Sequence, residues 1–315
     1  MHPPTAEVIA SGINVVDFLA RPPAGVVAGG KYETPEMEVQ GGGPASTAAC
    51  VTAVFGHATA FLARLGDDPI SRLSRSQFAQ AGILPDHLIM APGERAGVSM
   101  IQIDRASGER TVFYNLHDYG WIRDEDIPLA AIKEARLVIV DGYDTTAALG
   151  MLRAAASISC PSIIDLEHGE TGFVHECISL ASDVLLPLHT ARATTGQDTP
   201  EAALRALAEI GTGQMLVTDG DRGSWALTPD GILHQPAFET RVVDTNGCGD
   251  AFHGGYAVGL LRGWPLPLRM EFAAWVASRV ATALGGRSGI PDRATLRNEL
   301  HRFSPALQAA ASSLP

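Results

Sequence analysis

Cysteine is scarce in this chain. Its four cysteines (Cys50, Cys160, Cys177 and Cys248) are widely scattered over 315 residues, with no C-x-x-C pair. That pattern excludes the common zinc sites and a disulfide framework, and a reducing cytoplasm is the simplest setting. Positive charge is short as well, with 23 Lys and Arg against 35 Asp and Glu and a formal net charge of −12. A general nucleic-acid binder needs a basic footprint and is excluded, whereas an anionic small substrate is not, because a pocket carries its own local potential. No apolar run approaches the roughly 20 residues needed to span a bilayer. The first residues, "MHPPTAEVIASG", lack the basic and apolar regions of a signal peptide. The expectation is a cytoplasmic protein with no membrane partner. The histidines show no metal spacing, since "HECIS" (175–179) lacks the second His of H-E-x-x-H.

Apolar residues are plentiful at 46% of the chain, enough for a full core. Short apolar runs recur and end in a glycine, an acid or a proline: "EVIASG" (7–12), "ATAFLARLG" (58–66), "RLVIVDG" (136–142), "PSIIDLE" (161–167), "DVLLPL" (183–188) and "QMLVTDG" (214–220). They read as buried strands. Between them lie helical stretches such as "TTAALGMLRAAASI" (145–158) and "TPEAALRALAEIG" (199–211). Strands alternating with helices predict an α/β fold with a mostly parallel sheet covered on both faces. Ligands of such sheets bind at the carboxyl ends of the strands, where Asp141, Asp165 and Gly220 fall. Residues 96–115 read as an antiparallel hairpin with "RASG" as its turn, and residues 223–238 as another turning at Pro-Asp-Gly. Residues 14 to about 40 look extended. The reading is one continuous domain, 1–315, with flap segments at roughly 14–40 and 96–119 that form a lid or a dimer surface.

Three glycine-rich stretches invite a ligand. "GVVAGGK" (25–31) has P-loop spacing, but Tyr32 follows where a magnesium-binding Ser or Thr belongs, so it reads as an extended loop. "GGGPASTAACVTAVFG" (41–56) places Pro44 at a first helical position after three glycines, which suits either a ligand at a helix N-terminus or a tight turn with none. In "DTNGCGD" (244–250), Gly247 and Gly249 allow backbone N–H groups to converge on an anion, with Asp250 in the first helical turn. The helix N-terminus is expected to lower the Asp250 pKa, leaving a weak base that accepts a hydroxyl proton late in a phosphoryl transfer. The plainer alternative is an Asp capping its own helix. A dinucleotide fingerprint fails because Phe252 stands where G-x-G-x-x-G needs glycine. Cys248 reads as a small space-filling residue rather than a reactive thiol.

These residues resemble a known family. "DTNGCGDAFHGG" resembles the D-T-x-G-A-G-D-x-F signature of the ribokinase (PfkB) carbohydrate kinases. "GGGPASTAACVTAVFGHATAFLARLGDD" resembles their N-terminal signature, and "VTDGDRGSWAL" and "GGRSGIPD" continue the match in order. The resemblance implies a ribokinase-like, Rossmann-type three-layer core with a small β-sheet lid that often mediates homodimerisation. It also implies ATP- and Mg2+-dependent phosphorylation of a hydroxymethyl group on a sugar or nucleoside, with a monovalent ion such as K+ as a further ligand the family allows. Carried over by position, Asp250 is the base and the backbone of Gly247, Cys248 and Gly249 the anion hole. Asp17, Gly42, Gly43, Ser46 and Asn115 fall at the substrate, with Ser46 where the family often has Asn. Thr218, Gly220 and Gly223 match the nucleotide-binding turn, and Ala277 and Ser278 flank adenine. The usual N-x-x-E is absent, since Leu188 and Ala191 occupy its positions, so the metal ligands are not assigned. That departure leaves a sugar-binding sensor of weak activity as the alternative to a kinase. Within the family, "GGGPAS" with "GGRSGIPD" is most similar to the sulfofructose kinase branch.

Overall fold

A computed structural model of the chain describes residues 5–105, 110–312 and 314. The short apolar runs are strands and the Ala- and Leu-rich stretches between them are helices. The strands are β1 (Val8–Ser11), β2 (Val15–Ala20), β3 (Met37–Gly42), β4 (Thr59–Leu65), β5 (Leu88–Met90), β6 (Gly97–Ile103), β7 (Arg110–Asn115), β8 (Leu137–Asp141), β9 (Ser162–Asp165), β10 (Asp183–Pro187), β11 (Gln214–Thr218), β12 (Ser224–Thr228) and β13 (Gly231–Gln235). The helices are α1 (Pro44–Val54), α2 (Pro69–Gln80), α3 (Leu129–Glu134), α4 (Thr145–Ser157), α5 (Thr171–Leu180), α6 (Leu188–Thr195), α7 (Pro200–Ile210), α8 (Cys248–Leu261), α9 (Leu266–Val280), α10 (Arg293–Glu299) and α11 (Pro305–Ala311).

The main sheet runs β13-β12-β11-β10-β9-β8-β1-β4-β5, parallel throughout except where β12 and β13 turn back at one edge. Its central strands are apolar on both faces because both are covered: every residue of β1, β8 and β9 is buried. One side carries α3 to α7. The other carries α1, α2, α8 and α9, with α10 and α11 behind them. Side chains close the helix starts as their types dictate: Asp68 caps α2, Asp144 caps α4 and Thr199 caps α7.

A second sheet, ordered β3-β2-β6-β7, stands over the carboxyl ends of the main strands. Its outer pairs are antiparallel and its central pair, β2 with β6, is parallel. The predicted hairpin is β6 with β7, although residues 106–108 of its "RASG" turn lie outside the described residues. Residues 25–31, with the P-loop spacing, form exposed loop between β2 and β3 with no helix after them. Among the described residues no helix is long and apolar enough to cross a membrane.

Candidate active site

The site is organised by the turn that starts α8. Gly247 takes a left-handed conformation (φ 71°), and a Cβ there would lie 2.3 Å from the Gly286 Cα, so both backbone shape and crowding require glycine. Buried Asp244 holds the turn, accepting from the Asn246 N–H and the Gly285 N–H, each at 2.9 Å. Apart from its chain neighbours and the backbone of its own helix, no atom of the described residues lies within 4 Å of where a Gly249 Cβ would point. First-turn N–H groups of a helix have no intrahelical acceptor and favour an anion.

This turn separates two cavities of about 480 Å³ each. Cys248 and Gly249 line the first, Gly247 and Asp250 the second. In the first, Thr218, Gly220 and Gly223 form one wall and Ala277 and Ser278 of α9 another. All five residues expected around the nucleotide therefore meet in one cavity, joined by Phe238 and Phe252. The Ser278 hydroxyl is committed to the Trp275 carbonyl at 2.7 Å, leaving that wall largely apolar. Gly223 (φ 95°) permits the turn after β11, where a Cβ would meet the Gln235 carbonyl oxygen at 2.1 Å.

The second cavity lies between the carboxyl ends of the main strands and the inner face of the small sheet. Asp17, Gly42 and Gly43, placed at the substrate by the family resemblance, line it. Asp17 faces Ser99 across β2 and β6 and accepts its hydroxyl hydrogen, and burial raises its carboxyl above the ordinary range. Gly42 is needed there because a Cβ would sit 2.1 Å from an Asp17 oxygen. Two expected substrate residues are corrected. Ser46 is fully buried and does not line the cavity: its hydroxyl bonds the Gly42 carbonyl at 2.6 Å and the Arg287 guanidinium. Asn115 points away, because successive strand residues alternate faces and Arg110, Val112 and Tyr114 of β7 take the inner one. Its side-chain oxygen instead accepts from the His117 N–H at 2.7 Å.

Asp250 is half-buried in the cavity wall. The expected lowering of its pKa is also corrected: burial first, then the charges of Asp165 and Glu167, push the carboxyl up to about 7, against the pull of His253 and Arg110. Loss of hydration and two neighbouring acids outweigh the helix terminus. Burial, followed by Asp244 and Asp250, raises the Cys248 thiol to about 12, in keeping with a space-filling role.

Tyr143, Glu167 and His168 were not expected at the site from the sequence, whereas Asp141 and Asp165 were noted there as strand-end acids. Tyr143 donates to Glu167 at 2.7 Å, and both line the second cavity with His168, whose ring meets Tyr143 edge-on. Buried Asp141 accepts from the N–H groups of Ile13 and Ala45 at 3.2 Å and of Tyr143 at 3.0 Å, tying three loops under the cavity. An acid ending a buried apolar run is the signal by which Asp141 and Asp165 were noted.

A family model described as pfkB family carbohydrate kinase matches residues 6–293. The chain belongs to that family. Its similarity to a Klebsiella pneumoniae fructokinase is 27% identity over 286 residues, covering 84% of this chain and 92% of the other. A Salmonella typhi deoxyribokinase is 23% identical over 294 residues, covering 90% and 95%. Arabidopsis thaliana ribokinase, solved with ribose and ATP, superposes with a TM-score of 0.80 at 21% identity, over 95% of this chain and all of that one. This pfkB protein is a phosphotransferase acting on an alcohol group, a sugar or nucleoside kinase with the ribokinase fold.

Kinases of this family imply ATP with magnesium, and an E. coli protein of this fold was solved with both. The apolar cavity with its glycine turn fits a nucleotide. The N-x-x-E positions offer magnesium no ligand, because they are the buried side chains of Leu188 and Ala191. Among the described residues, moreover, no group of three His, Cys, Asp or Glu side chains could hold a metal ion. Magnesium in such enzymes keeps its waters and the nucleotide phosphates as ligands, with one or two carboxylates.

Proposed function

We propose that the protein transfers the γ-phosphoryl group of ATP to a hydroxymethyl group of a sugar held in the cavity of Asp17 and Asp250. The observation that carries this reading is the turn 247–250, which touches the apolar cavity on one side and the acidic one on the other. With ATP in the first cavity, the first turn of α8 would hold its γ-phosphate. The Asp250 carboxylate takes the proton as the sugar oxygen forms its bond to phosphorus, the bond to the β-phosphate oxygen breaks, and ADP leaves. Backbone N–H groups of Gly247, Cys248 and Gly249 steady the transferring charge, and positioning supplies most of the rate. Asp17 binds a sugar hydroxyl, and Arg110, reaching in from β7, places a cation near the transfer point. The small sheet closes over the acceptor so that the sugar, not water, attacks.

That sheet also offers a surface for a second copy. Val39, Phe18, Met100 and Phe113 stand in register across its four strands, 38–55% exposed. An apolar row of this kind marks an interface, and the reading is a homodimer through the lid. Sedimentation velocity of the wild type against Phe113→Glu tests it, a monomeric wild type refuting it.

A second reading, a sensor that binds sugar with weak turnover, is favoured by Leu188 and Ala191 at the N-x-x-E positions. A panel of ketoses, aldoses, nucleosides and anionic sugars separates the two. A kinase releases ADP with the same compounds that stabilise it, whereas a sensor is stabilised without ADP release.

A further inference from the structure

Beneath the first turn of α8 lies a histidine that the transfer reaction does not use. His253 is 2% exposed and the Asp165 beside it 5%, so both are withdrawn from water. The His253 Nε2 lies 3.0 Å from the Leu185 carbonyl oxygen of β10. Its Nδ1 lies 2.8 Å from the Gly249 carbonyl oxygen and 3.2 Å from Asp165 Oδ2. Carbonyl oxygens accept and never donate. A neutral imidazole has one N–H, so either tautomer would set a nitrogen lone pair against a carbonyl oxygen. Two N–H donors satisfy all three contacts, and the Asp165 carboxylate then balances the charge. Burial and Glu167 push the Asp165 carboxyl well above its ordinary range, towards protonation. A protonated Asp165 donating to Nδ1 would leave the Gly249 carbonyl facing a lone pair at 2.8 Å, so the carbonyl contacts decide the matter.

We propose that His253 is a positioning residue: it keeps a proton on both ring nitrogens and, paired with Asp165, holds the first turn of α8 to β9 and β10. Gly249 belongs to that turn and Asp250 is the next residue, so the ring fixes both the anion hole and the base. Asp165 from β9 and the Leu185 carbonyl from β10 face the ring, and Asp250 stands on its own helix. Glu167 and Arg110 act on the same cluster from the segment after β9 and from β7. The consequence for turnover rests on the kinase reading above; the protonation and the positioning do not.

Nitrogen-15 NMR of histidine-labelled protein reads the ring directly, with the His253 signals assigned from their loss in His253→Gln. An unperturbed histidine, with a pKa of about 6.5, is almost wholly neutral at about pH 8. His253 is expected to show two protonated ring nitrogens there, and a ring with one proton overturns the proposal. Amide exchange at residues 248–251 is expected to quicken at least tenfold in His253→Gln and Asp165→Asn, while the central strands stay protected. Unchanged exchange at that turn overturns the positioning. With a phosphorylated acceptor in hand, both variants are expected to lose at least tenfold in kcat with KM for ATP and sugar within about threefold. Unchanged kcat also overturns the proposal. A wild type without turnover would defeat the kinase reading alone, because the ring protonation and the amide exchange are still read. Should both variants fail to fold, the His253 ring is assigned by through-bond correlation to its own backbone in uniformly labelled wild type, and its protonation at pH 8 decides.

Discussion

Replacing Asp250 by Asn keeps the size of the side chain and removes its charge. In the folded protein the Asp250 carboxyl is pushed from 3.8 to about 7 by burial, Asp165 and Glu167. A folded-state pKa above the unfolded one means that the fold prefers the neutral acid. The stability carried by that neutral form is full below pH 3.8, is lost as pH rises, and is gone above about 7. The displacement corresponds to at most ~4 kcal/mol. Water in the open cavity, and the share carried by Asp165 and Glu167, bring the working figure to about 2 kcal/mol. Asp250→Asn is therefore expected to be more stable than the wild type by ~2 kcal/mol at pH 8, a few degrees in Tm for a chain of this length. The gain should shrink to near zero at pH 4. The same variant should lose about 10²- to 10⁴-fold in kcat, the range for removing a general base. Urea denaturation at the two pH values, with ADP release at pH 8, reads all of this. A variant less stable at pH 8, or equally stabilised at both pH values, refutes the electrostatic account; turnover within tenfold of wild type refutes the role as base.

As the proposed base, Asp250 has to be ionised, so kcat/KM of the wild type should fall about tenfold per pH unit below a midpoint near 7, and a flat profile down to pH 5 would contradict this. Gly42→Ala drives a Cβ into the Asp17 carboxylate, and KM for the acceptor should rise about tenfold, ~1.4 kcal/mol, with KM for ATP unchanged in steady-state kinetics. If the backbone N–H serves as proposed, Cys248→Ala should keep kcat within about twofold, and the wild-type thiol should resist alkylation at pH 8 because its pKa is raised to about 12. Asp244→Ala strips the acceptor from two loop N–H groups at 2.9 Å and should cost about 2–4 kcal/mol by chemical denaturation.

The core strands were legible because strands buried on both faces must be continuous apolar runs, as "RLVIVDG" and "QMLVTDG" are. The turn 244–250 was legible because a left-handed residue against a neighbouring backbone leaves glycine as the residue that fits. Asn115 was misjudged because strand parity depends on register, which local composition does not specify, and a one-residue difference turns a side chain to the other face. Ser46 was misjudged because its partner, Arg287, lies far along the chain. The sign of the Asp250 shift failed for the same reason: the helix terminus is local, whereas Asp165 and Glu167 come together with it only through the order of the sheet. The His253 contacts were invisible too, since a histidine in "DAFHGG" carries no trace of the carbonyl oxygens facing its ring.

The central claim is that a phosphoryl group passes from ATP to a sugar hydroxyl across residues 247–250. Phosphorus-31 NMR of the purified protein with ATP, magnesium and each stabilising sugar tests it most directly. The expected result is a sugar phosphomonoester that grows in step with ADP and is absent with Asp250→Asn. Sugar binding with no new phosphomonoester, or ADP matched only by inorganic phosphate, would contradict it.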